Sequence, residues 1–221
     1  MSMTYYILKS WEVLKNRPTP LVLLCLVNVI LSFRYAGNSG MIIEGVILLV
    51  AYPLIYGRYA ELLQGNPQIS YRQILRKHWL NFFLVNLVLS MFFLLVALIG
   101  SSLITFQSPA QLAAKLIFDI IKVYMIPLVF LMNTGIACIS SGLRYLIDHI
   151  TFSIPLMLIT LVPAFLEWTT HNMGLEAGAS FNAFLGNAFF TVCYISLNLL
   201  VFITATLVLR DELGIVDQEV R

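Results

Sequence analysis

The sequence predicts an all-α polytopic membrane protein with six transmembrane helices, built as three units that each pair an interfacial elbow with a helical hairpin. Three observations predict it. Of 221 residues, 60% are hydrophobic and 11% are charged, whereas roughly a quarter of a soluble chain is charged. No soluble core would use that much apolar surface. The apolar residues gather into runs of the length that crosses a bilayer, about 20 residues for about 30 Å of hydrocarbon, and the short loops between them leave no room for a soluble domain. Three of the runs are entered from a short amphipathic segment, of which Ser70 to Gly100 is the clearest: a basic helix that continues without a turn signal into a Leu-rich span. The chain therefore reads as a single transmembrane domain over 1–221, with units at 1–66, 67–140 and 141–210 and a charged tail at 211–221.

Tyr5 to Arg17 places Ile7, Leu8, Trp11 and Leu14 on one helical face, with Lys9, Glu12 and Asn16 opposite. That spacing suits a helix lying in the headgroup layer. Pro18 and Pro20 break it and form the first elbow. The first span runs from Pro20 to Phe33 and is short, so little tilt is expected. The amphipathic segment ahead of it makes this span a retained anchor rather than a cleaved signal. Arg34 to Gly40 is a turn-rich loop. Met41 to Tyr56 returns as the second span, with Pro53 as a kink, Glu44 near its entrance and Arg58 on the far side.

After the break at 65–70, Ser70 and Gln73 have the spacing of a capping box. Tyr71, Ile74, Leu75 and Trp79 then form an apolar face, with Arg72, Gln73, Arg76 and Lys77 on the polar one. The third span extends from Trp79 to Phe106. Ser108-Pro109 begins the next helix, on which Lys115, Asp119 and Lys122 share a face and are expected to pair at the outer interface. Span four covers Val123 to Ile139, interrupted by Pro127 and Asn133, and Ser140-Ser141-Gly142 is expected to loosen the helix. The third elbow sets Leu143, Leu146, Ile147 and Ile150 against Arg144 and Asp148. Span five, Ile150 to Trp168, carries Pro155 and Pro163, and span six runs from Phe181 to Leu209. The prolines read as simple kinks, with broken helices at a binding site as the alternative.

Topology follows from charge. If the amino terminus is cytoplasmic, the inner segments hold Lys9, Lys15, Arg17, Arg58, Arg72, Arg76, Lys77, Arg144, Arg210 and Arg221, which is ten of the thirteen basic residues. Arg34, Lys115 and Lys122 fall outside. This positive-inside bias predicts that both termini are cytoplasmic and all three elbows share one membrane face. The net charge of +2 gives no basis for a nucleic-acid partner. Lys9, Lys15, Arg17, Arg72, Arg76, Lys77 and Arg144 instead suit anionic headgroups or a cytoplasmic face of another membrane subunit.

SYRQILRKHWLNFFLVNLVL, followed later by SSGLRYLIDHITFSIPLMLITL, resembles the bacterial six-helix families of the YesL-like and YciC-like type. In those, a basic amphipathic segment ending near an aromatic residue leads more than once into a Leu-rich span. The resemblance covers the layout of the whole chain and implies a bacterial inner-membrane protein, accessory to transport or envelope processes. It carries over no catalytic residue.

Catalytic motifs are not found: there is no HExxH, GxSxG or phosphate-binding glycine loop, and no cofactor or metal site is predicted. Cys25, Cys138 and Cys193 are single cysteines within apolar runs and read as small buried residues. His78 and His149, the latter beside Asp148, occupy matching elbow positions. They read as side chains at the headgroup level, with a proton or metal site between the elbows as the alternative. His171 with Glu167 and Glu176 reads as a solvated loop. Asn28, Asn86, Asn133 and Asn198 lie in four spans and should face the bundle interior, either as interhelical hydrogen-bond glue or, with Glu44, as the lining of a polar path. The expected function is a non-enzymatic accessory or scaffold subunit that binds membrane lipids and other membrane subunits or itself. The alternative is a small transporter or channel whose asparagines meet in a hydrated cavity, and a lipid-directed enzyme is a third reading.

Overall fold

The structure is a computed structural model that describes residues 2–32, 38–100, 109–172, 181–211 and 214. The described residues form eight helices and no strand: α1 Met3–Asn16, α2 Thr19–Ser32, α3 Asn38–Leu63, α4 Tyr71–Gly100, α5 Pro109–Met132, α6 Ala137–Asp148, α7 Ile150–Asn172 and α8 Phe181–Asp211. The prolines inside α3, α5 and α7 do not end those helices.

Two of the three elbows are sharp. Arg17 leaves helical geometry ahead of Pro18, and α1 meets α2 at 78°. Proline cannot supply the N–H that continuing α1 would need. The second bend, 106° between α6 and α7, occurs at the single residue His149. Ser153 stabilises it by donating its hydroxyl to the carbonyls of Leu146 at 3.0 Å and His149 at 2.9 Å; Leu146 lies in the last turn of α6, whose carbonyls have no partner within the helix. The middle elbow differs from the other two. α4 runs unbroken for 30 residues, because nothing between Tyr71 and Ile99 removes an N–H or favours a turn. At about 1.5 Å per residue it is longer than a bilayer core, so the amphipathic start is a straight extension of the span.

The capping box at the start of α4 is present in full. Gln73 donates its backbone N–H to Ser70 Oγ at 3.3 Å, and Ser70 returns its own N–H to Gln73 Oε1 at 3.0 Å. The α3–α4 turn before it is clamped by Arg58, which donates to the carbonyls of Ile69 at 2.7 Å and Pro67 at 2.8 Å.

α8 is the axis of the bundle. It packs against α7, α5, α1, α2 and α3, and Val201 through Leu209 are all buried. Its threonines satisfy their hydroxyls within the fold: Thr204 donates to Leu200 O at 2.7 Å, Thr206 to Phe202 O at 2.7 Å, and Thr204 also reaches Ser10 Oγ at 2.8 Å. Around this axis Leu24, Ile55, Val85, Leu128, Leu156, Leu199 and Ile203 form one continuous core. The outside is apolar as well. Leu26, Val46, Leu87, Ile117, Leu158 and Phe189 are exposed on α2, α3, α4, α5, α7 and α8 respectively, the arrangement that suits lipid rather than water. Among the described residues, two helices are long and apolar enough to cross a membrane, Gly45–Leu63 and Ala188–Asp211, and up to four if each bent pair is one span.

The fourth predicted span ends earlier than expected. α5 stops at Met132, Asn133 adopts a positive φ of 48°, and Ile139 belongs to α6. Asparagine tolerates this left-handed conformation better than most residues. Ser140 to Gly142 does not loosen anything, since it lies within α6. Gly142 presses on α5 so closely that a Cβ would stand 3.0 Å from the backbone N and Cα of Met125.

The predicted apolar faces of α1 and α6 are turned outward in part. The buried residues of α1 are Tyr6, Ser10 and Leu14, while Leu8 is 60% and Trp11 58% exposed. On α6, Cys138, Gly142 and Leu146 are buried and Ile147 is 69% exposed. A face that lies in a headgroup layer meets acyl chains, so it need not be covered by protein.

Candidate functional site

Hydrogen bonds gather the predicted elbows at one end of the bundle. Tyr59 of α3 donates its hydroxyl to Arg17 O at 2.8 Å, and Arg210 of α8 donates to Leu63 O. Lys9 of α1 approaches Asp211 at 3.8 Å, and Asn81 of α4 donates to Asn133 O at 2.7 Å and Asn133 Oδ1 at 3.2 Å. Lys15, Arg17, Arg72, Arg76 and Arg144 are exposed, and Arg144 pairs with Asp148 one turn away at 3.3 Å. We call this the basic end.

Lys77 is not part of that exposed rim. Its ammonium lies 3.4 Å from Glu61 Oε1, with the side chain 21% exposed. His78, expected at the headgroup level, is fully buried, and its Nε2 lies 2.9 Å from the same carboxylate oxygen. Asn66 donates its amide to Glu61 Oε2 at 3.2 Å. One carboxylate of α3 thus gathers an ammonium and an imidazole of α4 and an amide of the turn between. Pairing is what lets a carboxylate stay buried. The other imidazole nitrogen, Nδ1, is buried with no hydrogen-bond partner, and the ring packs 5.1 Å from that of Phe130. His149 has a different environment, its ring stacked on that of Tyr145 in α6 at 6.1 Å.

Phe130 belongs to an aromatic layer. Its ring centroid is 5.8 Å from Phe82, 5.7 Å from Phe202 and 6.5 Å from Tyr56, and Tyr56 meets Phe202 edge-on at 4.5 Å. On the side of this layer away from Glu61 and His78 lies a cavity of about 440 Å³, walled by α3, α4, α5, α7 and α8. Its polar lining includes Tyr52, Asn86, Asp119, Lys122, Thr160 and Asn198, and Tyr56, Phe82 and Phe202 also face it.

The four asparagines expected within spans thus divide. Asn86 and Asn198 line the cavity. Asn28 donates its amide to Leu24 O of its own helix at 2.8 Å, as Asn86 does to Phe82 O at 2.8 Å. Asn133 sits in the α5–α6 turn rather than in a span. Asp119 and Lys122 were expected at the outer interface, but both reach the cavity. α5 starts at Pro109, as the sequence indicates, and a helix from there carries Asp119 about 15 Å from its first residue. The side chains of Glu44, Lys115, Glu167 and His171 lie outside the described residues, as do Arg34, Glu176 and Arg221.

Among the described residues, no group of three or more His, Cys, Asp or Glu side chains is placed to hold a metal ion. Sequence reasoning missed Glu61, and the usable signal was an acid within the apolar run Tyr59 to Leu63. It also missed Asn81, Thr160 and the cavity tyrosines, which carry no local signal because they meet only through the packing of five helices. The chain matches no family model, no curated protein and no solved structure.

Proposed function

We propose that the chain is a six-span membrane protein that binds a small polar solute between its helices and passes it across the bilayer, as a transporter or channel. The observation that carries this reading is the cavity, walled by five helices, that brings Asn86, Asn198, Asp119 and Lys122 together. Polar and ionisable groups at that depth are costly in a bilayer and mark solute pathways. The exposed apolar side chains on α2, α3, α4, α5, α7 and α8 support six spans, and the basic end supports a cytoplasmic face by the positive-inside rule. The setting is a bacterial inner membrane, in keeping with the YesL-like and YciC-like layout, with both termini cytoplasmic.

The test is uptake into proteoliposomes of a pool of isotope-labelled small polar solutes. The wild-type chain is expected to enrich at least one of them over protein-free vesicles, and Asn86→Leu with Asn198→Leu to abolish that enrichment. Equal uptake by the leucine variant would count against the proposal.

A second reading, an accessory or scaffold subunit, is favoured by the exposed Lys15, Arg17, Arg72, Arg76 and Arg144 at one end, a rim that suits anionic headgroups or a partner's acidic face. Mild-detergent purification separates the two. A reproducible partner at equal stoichiometry supports the scaffold, and a particle of this chain alone supports transport.

A further inference from the structure

Resting on the solute-cavity reading, we infer that solute leaves the cavity through the aromatic layer toward the basic end, and that the Phe130 side chain is the gate on that route. Tyr56, Phe82 and Phe202 line the cavity, whereas Phe130 does not. Phe130 stands behind them. It is fully buried, its ring centroid lies between 5.7 and 6.5 Å from each of those three rings, and it is 5.1 Å from the imidazole of His78. Among the described residues it is the one ring in contact with both the cavity wall and His78. The order along the helices agrees: on α3 Tyr56 precedes Glu61 by five residues, and on α4 Phe82 follows His78 by four, so about 6 to 8 Å of helix separates the cavity from the buried pair. Displacing Phe130 joins the two compartments.

A second observation places a polar cost behind the ring. His78 Nδ1 and Gln64 Oε1 are buried with no hydrogen-bond partner among the described residues. Both side chains meet Phe130, His78 through its ring and Gln64 through a long 3.5 Å bond from Nε2 to the Phe130 carbonyl. Lys77 beside Glu61 keeps that carboxylate an acceptor, so the ring proton of His78 lies on Nε2 and its Nδ1 is an acceptor as well. Two buried acceptors without a donor destabilise the closed layer. Donors that arrive with water or with the hydroxyl or N–H groups of a solute satisfy them once Phe130 moves. Ring packing on one side and unmet polar groups on the other give the layer two arrangements, and the solute favours the open one because only there does it meet these acceptors.

The test uses the full chain with Cys25, Cys138 and Cys193 replaced by alanine and Asn198→Cys as the reporter, in sealed vesicles of both orientations. A charged, membrane-impermeant methanethiosulfonate is added outside, and Arg72→Cys, exposed at the basic end, identifies the orientation that presents this end. With Phe130 intact, Asn198→Cys is expected to react from the opposite end alone. Phe130→Ala is expected to speed its reaction from the basic end at least about tenfold and to leave the rate from the other end unchanged. Because alanine deletes a buried ring, Phe130→Leu, which keeps more of the volume, is measured beside it and is expected to give a smaller rise in the same direction. Cys25, retained alone in the same background, is buried on α2 outside the cavity lining and is expected to stay unreactive in both variants. Reaction from the basic end with Phe130 intact, no rise in a variant that elutes as a folded particle, or an equal rise at Cys25 overturns the gate and leaves the cavity standing. No reaction of Asn198→Cys from either end overturns the solute cavity and the gate with it.

Discussion

The imidazole Nε2 of His78 lies 2.9 Å from Oε1 of Glu61, with both side chains almost completely buried. This contact joins two helices across the α3–α4 turn, and Lys77 and Asn66 complete the shell around the carboxylate. Removing the carboxylate leaves His78 without that partner in a site water does not reach. Glu61→Ala is therefore expected to cost about 3 kcal/mol, read as a lower midpoint of thermal unfolding in detergent micelles. Glu61→Gln retains an acceptor for His78 and should cost less. Equal losses would mean that charge, rather than the hydrogen bond, holds the contact.

Gly142 and Gly45 make opposite predictions. A Cβ at Gly142 would lie 2.6 Å from Met125 Cγ and 3.0 Å from Met125 backbone atoms. Gly142→Ala should therefore destabilise by about 1 to 3 kcal/mol, and Met125→Ala should rescue it only in part because the backbone contact stays. Gly45 lines the cavity with nothing within 4 Å of its Cβ position, so Gly45→Ala should unfold within about 0.5 kcal/mol of wild type. Thermal denaturation of the single and double variants checks all of this.

Ser70→Ala removes the hydroxyl that caps α4 and should cost about 1 kcal/mol. The loss is expected to be local, so hydrogen exchange should quicken at the amides of Gln73 and Ile74 while those of Val201 to Leu209 stay protected.

What the sequence shows and what it hides separate along physical lines. The capping box and the first bend were legible because their causes lie within a few residues: Ser70 with Gln73, and Pro18 with Pro20. The elbow pattern itself was legible, as was the unbroken run of α4, which has no turn signal, but the sharp bend between α6 and α7 was not, since it depends on a hydroxyl four residues beyond His149. Glu61 and His78 are separated by 17 positions and a turn, and no periodicity links them. Asn133 read as a residue within a span, although a left-handed conformation places it in a turn. Asp119 and Lys122 were expected to pair at the outer interface although the start of α5 at Pro109 was legible; that they reach a cavity depends on the packing of five helices, which no local pattern reveals.

Sidedness gives the next prediction. Cysteines introduced at Arg17, Arg72 and Arg144, each exposed, should be labelled by an impermeant maleimide from the same side of sealed inverted vesicles, in a background where Cys25, Cys138 and Cys193 are alanine. A cysteine at Lys115 should be labelled from the other side. Labelling of Arg17→Cys and Arg144→Cys from opposite sides would break the shared-face topology.

The central claim is that water and solute reach the bundle interior at Asn198, and thiol accessibility tests it most directly. In proteoliposomes of the same alanine background, Asn198→Cys should react with a charged, membrane-impermeant methanethiosulfonate, while Leu158→Cys on the outward apolar face should react only with a lipid-soluble maleimide. Asn198→Cys that reacts with the lipid-soluble reagent alone would contradict the account.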